Sequence, residues 1–157
     1  MAQEIERKFL VISDAWRGHA AGVFYRQGYL SAGLGPTVRV RIAGSIAFLT
    51  IKGPTIGISR LEFEYPVPLA DAEQLLALCV GPLIEKNRFE ILHAGRIWQV
   101  DEFLGDNAGL IVAEVELASA TDEIDLPDWV GKEVSHDARY SNANLASNPF
   151  SQWKQPE

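Results

Sequence analysis

Glutamates and basic residues recur at every second position along this chain, and that spacing is where chemistry would lie. Glu4, Glu6 and Lys8 alternate through EIERKFLV, Arg39 and Arg41 through PTVRVRI, and Lys52 follows Thr50 in IAFLTIKG. Arg60, Glu62 and Glu64 alternate through SRLEFEYPV, Lys86, Arg88 and Glu90 through EKNRFEIL, and Glu114 and Glu116 through LIVAEVELA. In a β-strand alternate side chains share a face. Each stretch therefore sets its charges on one side and residues such as Ile5, Val40, Phe63 and Val115 on the other. Arg7 breaks the pattern. RIWQVDEF is less regular, with Asp101 in step with Ile97, Gln99 and Phe103.

Guanidinium forks match the oxygens of phosphate. Lys8, Arg39, Arg41, Lys52, Arg60, Lys86 and Arg88 are half of the 14 basic residues, and together they suit a compact polyanion such as a chain of phosphates. Glu4, Glu6, Glu114 and Glu116 need a cation. Hard carboxylate oxygens suit Mg²⁺ or Mn²⁺, and Mg²⁺ is commonly shared between carboxylates and a substrate phosphate. A polyphosphate that arrives with a divalent metal accounts for both signs of charge on one face.

These side chains need elements to hold them. The stretches quoted, together with VFYRQGYL, read as about eight strands, with turn signals at residues 33–36, 43–45, 53–57, 94–95 and 105–109. Helical signals are fewer. LADAEQLLALC at 69–79 opens acidic and stops before Gly81-Pro82; SDAWRG suggests a turn of helix capped by Ser13; ARYSNANLA suggests a last helix. The class is α+β, mainly β. An open sheet would leave the charged face in water, the usual arrangement. Two features favour a closed antiparallel barrel instead: the face is concentrated in Glu and Arg, and few helices are available to cover so large an apolar face. A barrel of about eight strands has room inside for side chains or one small ligand.

The 157 residues are 47% hydrophobic and show no repeat or linker, so one domain over 1–157 is expected. A net charge of −7 argues against non-specific nucleic-acid binding. No apolar run approaches the ~20 residues of a membrane span, and no signal-peptide pattern opens the chain. No membrane partner and a cytoplasmic location are the expectations. Cys79 stands alone, which excludes an internal disulfide, and a buried packing thiol is expected. His19, His93 and His136 show no metal-ligand spacing; Trp16, Trp98, Trp129 and Trp153 are read as packing, and 122–128 as a solvated acidic loop. There is no GxxxxGK loop, so basic side chains would hold any phosphate.

The ordered set EIERKFLV, RQGYL, TVRVRI, LTIKG, SRLEFE, EKNRFE, VDEF, VAEVEL and GKEVSHDARYSNANLA resembles the CYTH superfamily, the triphosphate tunnel metalloenzymes. It is most similar to the small bacterial inorganic-triphosphatase members. The resemblance implies a closed eight-stranded tunnel and metal-dependent hydrolysis of a small-molecule triphosphate, in a monomer or homodimer. It implies metal carboxylates at Glu4, Glu6, Glu114 and Glu116, with Asp101 near the metals. It implies phosphate ligands at Lys8, Arg39, Arg41, Lys52, Lys86 and Arg88. Arg60, Glu62 and Glu64 match a further inward set, Arg60 on the substrate side and the two glutamates on the metal side. Tyr29 falls on a tyrosine that pairs with the signature lysine in some members, so Lys8 and Tyr29 are the implied catalytic pair. Arg139 matches a late basic position without an assigned role. The family's adenylyl cyclases carry His-Phe-Arg-Ile-Arg where this chain has Thr37-Val38-Arg39-Val40-Arg41. That departure counts against a cyclase; the other readings are a thiamine or nucleoside triphosphatase, a class IV adenylyl cyclase, and a non-catalytic polyphosphate-binding module.

Overall fold

A computed structural model describes residues 3–32 and 35–153. Of the expected turns, the one at 33–36 lies partly outside the described residues. The strands are β1 (Gln3–Val11), β2 (Val23–Ser31), β3 (Thr37–Ala43), β4 (Ile46–Lys52), β5 (Ser59–Val67), β6 (Val80–His93), β7 (Arg96–Phe103), β8 (Ile111–Glu116) and β9 (Val130–Glu133). The helices are α1 (Leu69–Ala77) and α2 (Asn142–Ser147). All pairings are antiparallel, in the order β5-β4-β3-β2-β6-β7-β8-β1-β9.

The barrel closes where β1 meets β5, through Gln3–Leu61, Glu4–Arg60 and Ile5–Ser59. Beyond that short seam the same edge of β1 takes β9 at Phe9 and Val11. Eight strands therefore form the cylinder and β9 extends one edge. Closure removes most of the exposed strand edge that an open sheet would carry.

Closure also inverts the usual placement of the core. With the charges inside, the apolar parity faces outward and has to be covered from outside. One cluster joins Phe9, Trp98, Val100, Ala113 and Val115 of the wall to Trp16 and Trp129 from flanking loops. A second seats Leu145 and Ala146 of α2 against Ile84, Phe103 and Val112. A third seats Ala72 and Leu76 of α1 against Val40, Ile42 and Ala47, with Cys79 half-buried at its rim. Loops thus do much of the covering that helices were too few to do. Along β5 the outward Leu61, Phe63 and Tyr65 stay exposed.

Three local expectations need correction. SDAWRG forms turns, not a helix. Ser13 Oγ does accept from the Ala15 amide at 3.3 Å, but the chain is bent to bury Trp16 completely. α1 does stop before Gly81-Pro82, but the strand read from Glu85 already begins at Val80, so that pair lies inside β6. The β2–β6 register slips between Gln27↔Ile84 and Tyr29↔Val80, and Gly81 takes φ 74°, a bulge conformation open to glycine. ARYSNANLA splits into a short 3-10 turn, Ala138–Tyr140, and α2.

Candidate active site

The barrel encloses a cavity of about 610 Å³. Strand parity delivers Glu4, Glu6 and Lys8 from β1, Tyr29 from β2, Arg39 and Arg41 from β3, and Lys52 from β4 to its lining. Arg60, Glu62 and Glu64 from β5, Arg88 from β6, and Glu114 and Glu116 from β8 complete the set of expected residues that line it. Lys86 and Asp101 do not line it. Both are fully buried in the wall behind Arg88.

The cationic side is built around Asp101. Arg88 donates to both its oxygens at 2.7 and 2.8 Å, and Lys86 Nζ donates to Oδ2 at 2.9 Å. Against its burial, Arg88 and Lys86 hold Asp101 below the usual carboxylate range. With both oxygens so engaged, Asp101 acts as a counter-ion that fixes two cations, not as a carboxylate presented to the cavity. Burial pulls Lys86 well down, and Arg88 and Arg41 add to that pull. Arg41 is likewise lowered by burial and by the guanidinium groups of Arg39 and Arg88. An arginine stays charged in proteins, so this wall carries positive charge that its own partners do not neutralise. Arg39 Nε is buried with no hydrogen-bond partner among the described residues.

The carboxylate side lies on β1, β5 and β8. Glu6 and Glu116 are direct cross-strand partners, and among the described residues neither has a cation within salt-bridge reach. Like charges placed opposite one another destabilise a sheet. Burial first, then Glu114 and Glu4, push Glu6 up to about 8. Burial, opposed by Lys52 and helped by Glu62 and Glu114, pushes Glu4 up to about 7. Glu114 moves the other way: despite burial, Lys8 and Arg88 hold it well below its ordinary value.

Lysines occupy part of the space a cation would take. Lys52 Nζ stands 3.1 Å from both Glu4 and Glu62, and Lys8 Nζ stands 3.3 Å from Glu114. In this arrangement no three Asp, Glu, His or Cys side chains are grouped to hold a metal among the described residues. The donor set nevertheless fits a hard divalent cation. Carboxylates crowded in this way, with Glu6 directly opposite Glu116 and with the proton affinity of Glu4 and Glu6 raised, are what such an ion relieves.

Other expected residues hold the wall. Arg39 donates to Thr50 Oγ1 at 3.2 Å and lies 3.6 Å from Glu64. Arg60 donates to the Gly53 carbonyl at 3.0 Å and to Thr37 Oγ1 at 3.1 Å. Tyr29 lines the cavity, but the expected pairing with Lys8 is not made. Lys8 Nζ donates instead to the Tyr140 carbonyl at 3.0 Å, because residues 134–143 fold over that part of the lining. Burial alone would lower Lys8, yet Glu114, Glu6 and Asp101 hold it above its ordinary value, so it is an ammonium. Arg139 points away, paired with Asp137 at 2.7 Å.

Sequence reasoning missed several contributors. Thr37, Gln99, Ser135, His136 and Asn142 line the cavity, and Gln27 is a fully buried polar residue behind it. Gln27 shares parity with Tyr29, which was a usable signal. The late segment carried none, because it is held by irregular chain.

A family model described as the CYTH domain matches residues 2–148. A curated relative from Acetivibrio thermocellus, named inorganic triphosphatase, is 47% identical over 99% of this chain and 100% of its own length. A second of the same name, from Nitrosomonas europaea, is 37% identical over 91% of this chain and 96% of its own. The solved structure of the inorganic triphosphatase NE1496 superposes with a TM-score of 0.67 at 35% identity, covering 93% of this chain and 95% of that one. A putative adenylyl cyclase from Hippeastrum, at 14% identity and a TM-score of 0.59 over 74% of this chain and 80% of its own, shares the fold.

Proposed function

The chain belongs to the CYTH domain family, and from that membership we propose that it hydrolyses inorganic triphosphate to pyrophosphate and phosphate with the help of Mg²⁺ or Mn²⁺. The observation that carries this reading is the divided lining of the cavity. The Arg41 guanidinium, with no carboxylate within salt-bridge reach among the described residues, lines the cavity beside Arg39 and Arg88, and Glu6 and Glu116 line it with no cation within such reach. A phosphate chain and its metal satisfy both sides.

In this reading Arg39, Arg41 and Arg88 hold the non-bridging oxygens. Lys52 and Arg60 extend the same grip toward the β4–β5 end. Glu4, Glu6, Glu114 and Glu116 would hold the metal, with Glu62 and Glu64 beside them. The metal would supply charge neutralisation at the phosphoryl oxygens, which is most of what phosphoryl transfer asks of a protein. Lys52, paired here with Glu4 and Glu62, would be available to a phosphate oxygen once those carboxylates held a metal. Lys8, held as an ammonium, steadies the leaving pyrophosphate. Tyr29 borders the same space. Asp101 contributes by fixing Lys86 and Arg88. The chemistry balances with water alone: one P–O–P bridge is broken, and one P–O bond to the incoming oxygen is formed.

The same reading places the protein in the cytoplasm as a single domain acting on a small molecule. Among the described residues no helix is long and apolar enough to cross a membrane. Phosphate release from tripolyphosphate, with and without Mg²⁺ or Mn²⁺, tests the reading. Metal-dependent release is expected. Folded protein that releases none in either metal would remove it. Tight binding without turnover would point to a polyphosphate-binding module, and cyclic AMP formed from ATP would point to a cyclase.

A further inference from the structure

Between the cationic wall and the C-terminal segment lies a pair of amides, Gln27 behind the lining and Asn142 in it, that no step above uses. Gln27 on β2 is completely buried. Its Oε1 accepts from Arg41 Nε at 2.9 Å, and its Nε2 donates to Asn142 Oδ1 at 3.2 Å. The same Asn142 oxygen accepts from Lys86 Nζ at 3.0 Å. One chain of hydrogen bonds therefore runs from Arg41 through two amides to Lys86, and from Lys86 through Asp101 to Arg88.

Donor and acceptor chemistry fixes the orientation of both amides. Arginine offers only donors, so Gln27 must turn its oxygen toward Arg41 and its nitrogen toward Asn142. The Asn142 oxygen then faces two donors. Reversing Gln27 would set N–H against N–H inside the wall, where an unmet donor costs about 1–3 kcal/mol.

The backbone under each amide is also held. Gly28, next to Gln27, leaves no room for a Cβ, which would meet Leu83 at 2.6 Å and Cys79 at 2.8 Å. Asn142 opens α2, whose N-cap Ser141 accepts from the Asn144 amide. α2 is in turn packed on the wall through Leu145 and Ala146. Gln27 engages Arg41 through Nε, so the two terminal nitrogens stay available to the cavity.

We propose that Gln27 and Asn142 are positioning residues for anion binding, with Gln27 aiming the Arg41 guanidinium into the cavity and Asn142 tying Arg41 and Lys86 to the C-terminal segment. This deepens the triphosphate reading and rests on it for the identity of the anion. It makes residues 134–143 a support for the cation wall and not only a cover over it. An unaimed Arg41 would still be charged, but it would have to be ordered when the anion binds, and that ordering weakens affinity.

Titration calorimetry of inorganic tripolyphosphate into metal-free protein in EDTA tests this. Binding is read without turnover, so loss of hydrolysis and failure of this proposal are separate results. Gln27→Leu is expected to weaken the tripolyphosphate Kd about tenfold, as expected when a charged group loses a buried hydrogen bond. In an Arg41→Ala background the same change is expected to shift Kd by less than about twofold, since the residue it acts through is gone. Asn142→Ala, at a half-buried helix start that tolerates alanine, is expected to weaken binding about fivefold and non-additively with Gln27→Leu. It carries the test alone if Gln27→Leu does not fold. A purely structural role would lower Tm and repeat the same loss of affinity in the Arg41→Ala background. That repetition, wild-type affinity in Asn142→Ala, or no binding by the metal-free wild type would each overturn the proposal.

Discussion

Glu6 and Glu116 face each other across β1 and β8 with no cation within salt-bridge reach of either among the described residues, and the two residues together set a trade between stability and function. Replacing either carboxylate by an amide relieves the repulsion and removes a metal ligand. Glu6→Gln is therefore expected to raise the stability of metal-free protein at pH 8 by roughly 0.5–1 kcal/mol while lowering Mg²⁺-dependent phosphate release at least about 100-fold. Denaturant unfolding in EDTA and a phosphate-release assay check the two halves. A variant that loses stability and keeps activity would remove Glu6 from the metal assignment. Arg88 shows the opposite balance. It neutralises buried Asp101 with two hydrogen bonds, so Arg88→Ala leaves that charge to Lys86 alone. A loss of about 3–5 kcal/mol is expected on breaking such a pair, read as a shifted urea midpoint at unchanged slope. Asp101 itself shows where residue-level matching goes astray. Its acidic type and its place near the carboxylates were visible in VDEF, but Arg88 in the lining and Lys86 behind it had already claimed it.

At the scale of elements, the covering of the barrel is the feature that carries most risk for the fold. Trp16 comes from a loop, is fully buried, and stacks edge-on against Phe89 at 4.9 Å between ring centres. Trp16→Ala should cost about 3–5 kcal/mol, a loss measurable in the denaturation midpoint, because no helix stands behind it to fill the gap. Near-wild-type stability would mean the loop is ornament. Gly28→Ala should cost about 1–3 kcal/mol by overpacking against Cys79 and Leu83. The strands themselves were legible from period-two alternation, and so was their closure, since one parity carried both the charges and the demand for a partner. What alternation cannot show is how the outer face is covered. SDAWRG has a helix-like cap yet bends to bury an indole. VGKE of β9 is too short for a periodic signal, and it is held by the Arg7–Glu133 fork at 2.8 and 2.7 Å. That fork also explains the one charge on β1 that broke parity: Arg7 points outward. The C-terminal segment entered the lining through tertiary hydrogen bonds at Lys8, Lys86 and Gln27, which no local pattern encodes.

For the whole molecule, the enclosed charge makes stability depend on pH in an unusual direction. Glu4 and Glu6 are raised from 4.5 to about 7 and about 8. The folded state then binds more protons than the unfolded one between those limits, so their contribution is full below pH 4.5 and is lost as pH rises through 7 and 8. From about pH 5 to 9 the Tm of metal-free wild type should fall relative to that of a Glu4→Gln, Glu6→Gln double variant, while Lys86, lowered by burial, contributes the opposite slope in both. Mg²⁺ should restore more at pH 8 than at pH 5, because it competes with protons for the same oxygens. A wild-type Tm that climbs relative to that variant over the same range in EDTA would mean the carboxylates are not crowded as described. The central claim is that one closed barrel balances a phosphate chain on its arginines against a metal on its glutamates. It is tested most directly by a crystal structure of the protein with Mn²⁺ and a non-hydrolysable imidotriphosphate, using anomalous scattering to locate the metal. The account predicts manganese between β1 and β8 at Glu6 and Glu116, with the phosphate chain inside the cavity against Arg39, Arg41 and Arg88. Manganese away from those glutamates, or the analogue bound outside the cylinder, would contradict it.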